Sequence, residues 1–174
     1  WDEQNIIGLA LGSSKSFVDK YIILIQKCTD KTLEVIKYCQ NLWNLNIEII
    51  KSDLKIRKRK ELGIKLSKNY TDYYILQDGD EVFHEDSENI IKNIIKENHT
   101  FSTTPIVLLE NNLLHTTDNN NNIVMPNHPF FFKNLDDIYF PNVGDMPWYD
   151  PNKSNHNILN LKYPIKFDCK IKNY

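Results

Sequence analysis

The chain has 174 residues and a mass of 20.6 kDa, with 41% hydrophobic and 25% charged residues, enough for one compact domain with a real core. Its 21 lysines and arginines against 23 aspartates and glutamates give a net charge of −2, which disfavours a protein that holds a nucleic-acid backbone by charge. The longest apolar runs stop far short of the ~20 residues a bilayer span requires, and the start lacks the pattern of a signal peptide. Cys28, Cys39 and Cys169 have neither CxxC nor CxxH spacing, so neither a disulfide framework nor a zinc site is signalled. The expectation is a soluble, cytoplasmic chain with no membrane segment.

Residues 3–16 place Ile6, Ile7, Leu9, Ala10 and Leu11 at spacings that predict a short helix. The uninterrupted run Tyr21-Ile22-Ile23-Leu24-Ile25 predicts a central parallel strand buried on both faces. Thr29-Asp30-Lys31-Thr32 then offers capping side chains, and Leu33, Val35, Ile36, Cys39, Leu42 and Trp43 repeat at helical spacing. The alternation continues with a strand at 47–50, a basic helix over 55–69, a strand at 73–77, an acidic turn at 78–81 and a helix over 87–98. Such alternation implies a parallel sheet with helices on both faces, whose ligands bind beyond the carboxyl ends of the strands.

After residue 98 the pattern breaks. Ile106 to Leu109 and Phe130 to Phe132 read as strands, and the intervening segments are rich in Asn, Asp and Pro. The asparagine tract 119–122 reads as a surface loop.

The sharpest chemical signal is Gln77-Asp78-Gly79-Asp80-Glu81. Two carboxylates separated by a glycine at the end of a buried strand can converge on one hard divalent cation, Mg²⁺ or Mn²⁺, which in turn bridges a diphosphate. The competing reading is a simple turn, because Asp-Gly forms turns readily and acids favour the start of the following helix.

The stretch from Val18 to Glu34, a strand running into the acidic turn Cys28-Thr29-Asp30-Lys31-Thr32, resembles the second strand and turn of family-two glycosyltransferases. The resemblance extends through the helix with Arg57, Arg59, Lys60 and Gly63 to Tyr73-Tyr74-Ile75-Leu76-Gln77-Asp78-Gly79-Asp80-Glu81, which is similar to the family's Asp-x-Asp-Glu turn. It covers about residues 3–97. It implies an α/β fold of the GT-A type, with a Rossmann-like, mostly parallel central sheet flanked by helices on both faces. It also implies sugar transfer from a nucleotide diphosphate sugar, with Asp78 and Asp80 holding metal and donor and Asp30 beside the nucleotide pocket.

Two positions depart from the family turn, since its first acid falls on Ile25 and its glycine on Lys27. Family members also begin with a strand before the first helix, whereas Trp1 falls almost inside that helix, so the first strand is expected to lie outside this chain. The whole of 1–174 then reads as a single domain, with residues 1–98 as the nucleotide-sugar half and 99–174 as the acceptor half.

Departure of a diphosphate develops negative charge that a metal and one or two cations should face. Arg57, Arg59 and Lys60 are the candidates, and Lys60, three residues before Gly63 where the family often has Arg, is preferred. An inverting transfer also needs a carboxylate base beside the acceptor hydroxyl. Gly144-Asp145 falls where many family members carry His-Glu, which makes Asp145 the first choice, with Asp150 second. Trp148 and Tyr149 could stack on a sugar face. His156, downstream of the candidate base, could complete a metal shell as in some GT-A enzymes.

The resulting expectation is a metal-dependent, inverting glycosyltransferase that uses Mn²⁺ or Mg²⁺ and a UDP-linked sugar to glycosylate a glycan or other hydroxyl acceptor. Two alternatives stay open. One is a retaining GT-A transferase, because Lys58-Lys60-Glu61-Leu62-Gly63 is similar to the helix of glycogenin-like enzymes. The other is a non-catalytic GT-A-like binding or scaffold domain.

Overall fold

A computed structural model describes residues 2–110, 124–136, 138–140, 147–149, 156–161 and 166–170. The first part follows the expected alternation: α1 (Ile7–Ser14), β1 (Tyr21–Ile25), α2 (Thr32–Trp43), β2 (Ile47–Lys51), α3 (Ile56–Ser67) and β3 (Tyr73–Ile75). Then come β4 (Glu81–Phe83), α4 (Ser87–Lys96), β5 (Phe101–Glu110), β6 (Val124–Lys133), β7 (Ile138–Tyr139), β8 (Trp148–Tyr149), β9 (Ile158–Asn160) and β10 (Lys166–Lys170). The asparagine tract 119–122 lies outside the described residues.

Local chemistry sets the helix ends. α1 is shorter than the 3–16 expected; ahead of it the Glu3 N–H donates to Thr32 Oγ1 at 2.7 Å and the Gln4 N–H to Asp30 Oδ2 at 2.9 Å. α2 stops at Asn44, whose φ of 50° is left-handed, with the Leu45 N–H returning to the Gln40 carbonyl at 3.0 Å. α4 stops in the same way, with Asn98 at φ 55° and the His99 N–H on the Ile94 carbonyl. Asparagine tolerates this conformation better than other residues with a Cβ, so both stops are encoded locally.

β1 and β2 pair in parallel from Tyr21↔Ile47 to Ile25↔Lys51. α1 and α2 pack with them around Ile7, Ala10, Leu11, Tyr21, Ile25, Ile36 and Cys39. The helices approach closely where α1 has glycines: a Cβ on Gly12 would lie 3.1 Å from the Trp43 ring, and one on Gly8 3.6 Å from Val35. β1 departs from the expected central strand. Among the described strands it pairs with β2 alone, and only its two ends, Tyr21 and Ile25, are buried.

The larger sheet runs β3-β6-β5-β10-β4, with β9 also beside β5. β5 is parallel to β9 and β10, whereas β6 is antiparallel to both β5 and β3, and β4 is antiparallel to β10. The sheet is therefore mixed, where the sequence reading has it mostly parallel. A parallel crossover takes about a dozen residues or more, usually a helix. After α4 the described residues contain no further helix to make one.

Helices do cover both faces. Side chains alternate along a strand, so Phe131 packs with Ile91 and Ile94 of α4, and its neighbour Phe132 packs with Ile64 of α3. Phe132 also stacks on Tyr74 at 5.0 Å between ring centroids and meets Phe101 edge-on at 5.2 Å. Phe132→Ala should therefore cost about 3–5 kcal/mol in urea unfolding, from lost burial and the cavity left behind. A loss below about 1 kcal/mol would show that this aromatic group does not hold the sheet to α3.

Candidate functional site

Residues 76–80 leave β3 and enter β4, and the acidic motif forms this connection. The Leu76 N–H still bonds the Phe130 carbonyl at 2.9 Å, so the chain leaves the sheet at Gln77. The turn is closed by the Glu81 N–H on the Asp78 carbonyl at 3.1 Å and by the Asp78 N–H on Glu81 Oε2 at 2.9 Å. Gln77 Nε2 donates to the carbonyls of Glu81, at 2.8 Å, and Ala10, at 3.0 Å, while Gln77 Oε1 accepts from Ser14 Oγ at 3.2 Å. Gly79 packs against the first residues of the chain: a Cβ there would stand in van der Waals contact with Glu3 and Ile7, at 3.4 and 3.5 Å.

Asp78 presents its side chain outward, 46% exposed, and Lys60 of α3 stands 3.4 Å from each of its carboxylate oxygens. The Lys60 side chain is itself only 11% exposed, so its aliphatic stem is packed and its ammonium is delivered to the acid. Asp80 is half-buried in the same turn. The other two candidate cations differ. Arg57 is engaged by Glu61 at 3.3 Å and by the Phe140 carbonyl at 3.0 Å, and Arg59 is buried.

Asp30 lies in the β1–α2 loop, with both oxygens in use: Oδ1 accepts the Thr32 N–H and Oδ2 the Gln4 N–H, each at 2.9 Å. Burial pushes its pKa up, but the hydrogen bonds from Thr32 and Gln4 outweigh it and hold the carboxyl below the ordinary range. The neighbouring Asp2 accepts the Thr29 N–H at 2.8 Å and also its hydroxyl. Since Glu3 touches the Gly79 position and is bonded to Thr32, residues 2–4 connect the two acidic turns. Residues 2–4 thus bridge the turns at 28–32 and 78–81, which follow β1 and β3, strands of two separate sheets rather than of the one parallel sheet expected.

His156 sits before β9, half-buried. Among the described residues, the group of three acidic, cysteine or histidine side chains close enough to share an ion is Asp2, Cys28 and Asp30; His156 is not gathered with Asp78 and Asp80. Asp145 and Asp150 lie outside the described residues, and Trp148 and Tyr149 are placed only by the backbone pairing of β8 with β7. Sequence reasoning gave no role to Ser14, Gln77 or Glu81, whose bonds build the turn. An amide immediately before the acidic pair was the available signal for Gln77.

No family model and no curated protein matches the sequence. The fold is similar to solved structures of S. aureus TarS, a glycosyltransferase. One TarS structure superposes with a TM-score of 0.63 at 13% identity, covering 97% of this chain and 35% of that one. The structure of TarS 1-349 gives 0.50 at 17% identity, covering 64% and 34%. The chain spans about a third of the length of these TarS chains, and its mixed α/β fold is glycosyltransferase-like. Among the described residues no helix is long and apolar enough to cross a membrane.

Asp30 yields a pH prediction. Its folded pKa lies below the unfolded value of about 3.9, so its stabilisation is complete above that value and is lost as pH falls through the folded pKa. Asp30→Asn should be less stable than the natural chain by on the order of 1 kcal/mol at pH 7, and the gap should close towards pH 3. Urea unfolding at the two pH values measures this, and a gap of constant size would mean that the charge of Asp30 is not engaged.

Proposed function

We propose that this chain is the catalytic domain of a metal-dependent, inverting glycosyltransferase of the family-two GT-A type, moving a sugar from a UDP-linked donor to a hydroxyl acceptor. The observation that carries the reading is the Asp78-Gly79-Asp80 turn, with the Lys60 ammonium against Asp78, at the end of a strand in a glycosyltransferase-like fold. The donor set fits Mn²⁺ or Mg²⁺: both side chains offer hard oxygens, Asp78 faces solvent, and a cation already rests against it. Asp78 and Asp80 would hold the ion, which when bound neutralises charge on the departing diphosphate.

Lys60 supplies the second positive charge, turning from Asp78 to the diphosphate as the donor enters. Residues 1–98 form the donor half and 99–174 the acceptor half. In the acceptor half Asp145, or failing it Asp150, takes the proton of the acceptor hydroxyl as that oxygen bonds to the anomeric carbon and the bond to the diphosphate oxygen breaks. His156, which is not gathered with Asp78 and Asp80, is left out of the proposed metal shell. Asp30, with both oxygens bonded to backbone, supports the nucleotide pocket by shaping the β1–α2 loop.

A thermal-shift panel of UDP, GDP and CDP, with and without Mn²⁺, tests the reading. UDP with Mn²⁺ at about 100 times its Kd should stabilise the chain by about 2.7 kcal/mol, roughly 5–10 °C for this size. Asp80→Ala should abolish the shift. Lys60→Met should keep the response to Mn²⁺ and weaken that to UDP. Absence of any shift with all three nucleotides would favour a scaffold, and a product that retains the donor's anomeric configuration would overturn inversion.

A further inference from the structure

We infer that Gln77 and Glu81 are positioning residues that fix the carboxylates of Asp78 and Asp80 for cation binding, an inference that rests on the donor-site reading above. Glu81 is 4% exposed, although Asp-Gly turns form without a buried acid. A carboxylate at such a position is costly unless hydrogen-bonded, and an apolar side chain would be its ordinary occupant. The backbone explains the choice: Glu81 Oε2 accepts the Asp78 N–H at 2.9 Å, and the Glu81 N–H returns to the Asp78 carbonyl at 3.1 Å. One residue therefore holds both polar backbone groups of Asp78.

Gln77 continues the chain of contacts. Its amide nitrogen bridges the carbonyls of Glu81 and Ala10, and its oxygen accepts from Ser14, a fully buried hydroxyl that also bonds the Tyr21 phenol at 3.1 Å. An amide offers two donors and an acceptor on one planar group; glutamate would lose both donated bonds and add a fourth acid to residues 77–81. The acids thus divide their work. Asp78 faces outward, whereas Glu81 is enclosed and turned back on the main chain. Divalent ions of the Mg²⁺ type demand closely fixed oxygen positions, and hydrogen bonds behind the ligands supply that order.

The test is Mn²⁺ titration of the full chain with UDP present, following free Mn²⁺ by electron paramagnetic resonance at a temperature where circular dichroism shows each variant folded. Glu81→Gln keeps an oxygen for the Asp78 N–H and should bind within about threefold of the natural chain. Glu81→Asp keeps the charge but is a methylene short, and should bind about tenfold or more weakly. Should that variant fail to fold, Gln77→Met, which preserves shape and removes the amide, should show the same weakening. A merely structural role would lower the melting temperature and leave the affinity of the folded chain unchanged, which would overturn the inference. Glu81→Gln binding as poorly as Asp80→Asn would also overturn it, by making Glu81 a ligand through its charge. Failure of the natural chain to bind Mn²⁺ at all would instead overturn the donor-site reading, and the inference with it.

Discussion

The contact between the Gln77 amide and the Ala10 carbonyl joins two sheets that share no strand pairing among the described residues. On one side, α1 gives Ile7, Ala10 and Leu11 to a largely aliphatic core with β1 and α2. On the other, its last turn meets the strands around the acidic turn, where Ser13 Oγ accepts the Phe83 N–H at 3.0 Å and Ser14 bonds Gln77. Apolar packing alone tolerates sliding, but buried polar groups must each find a partner. This seam therefore has one register, and the position of the turn relative to β1 follows from it.

With that seam in place, two acidic turns of similar sequence character end in different chemical states. Asp30 spends both oxygens on backbone amides and serves the loop that carries it. Asp78 has its own amide satisfied by Glu81, so its carboxylate is left to face Lys60 and solvent. The difference is set by neighbours: Gln4 and Thr32 converge on the first acid, while a buried glutamate takes that place behind the second. Burial pushes the pKa of the Cys28 thiol up, so it adds no competing charge to the first turn.

Much of residues 1–98 was legible because the elements there announce themselves through period and caps. α2, β2, α3 and α4 all appear within a few residues of their expected bounds. β4 was not legible, since it is three residues long and opens with an acid that the sequence assigns to a turn. β5 begins earlier than Ile106 because Ser102, Thr103 and Thr104, polar by type, are fully buried within the sheet. β10 hides in Lys166-Phe167-Asp168-Cys169-Lys170, whose charges mask its place between β5 and β4. In the site, Asp78 and Asp80 declared themselves by residue type. Gln77 did not, because the carbonyl that gives it meaning belongs to Ala10, 67 residues away.

The strand β4 carries a consequence for the order in which the molecule forms. It anchors the far end of the acidic turn, yet its partner in the sheet is β10, with Phe83 opposite Lys166 nearly half the chain away. The α1–β1–α2 unit closes over short loops, whereas the β4–β10 ladder must wait for a long loop to close and for the ribosome to deliver its last strand. During synthesis the turn can thus rest on α1 and on Lys60 of α3 before β4 has its partner strand. The nascent chain therefore passes through an interval in which the acidic turn is formed against helices while the strand that follows it still shows an open edge.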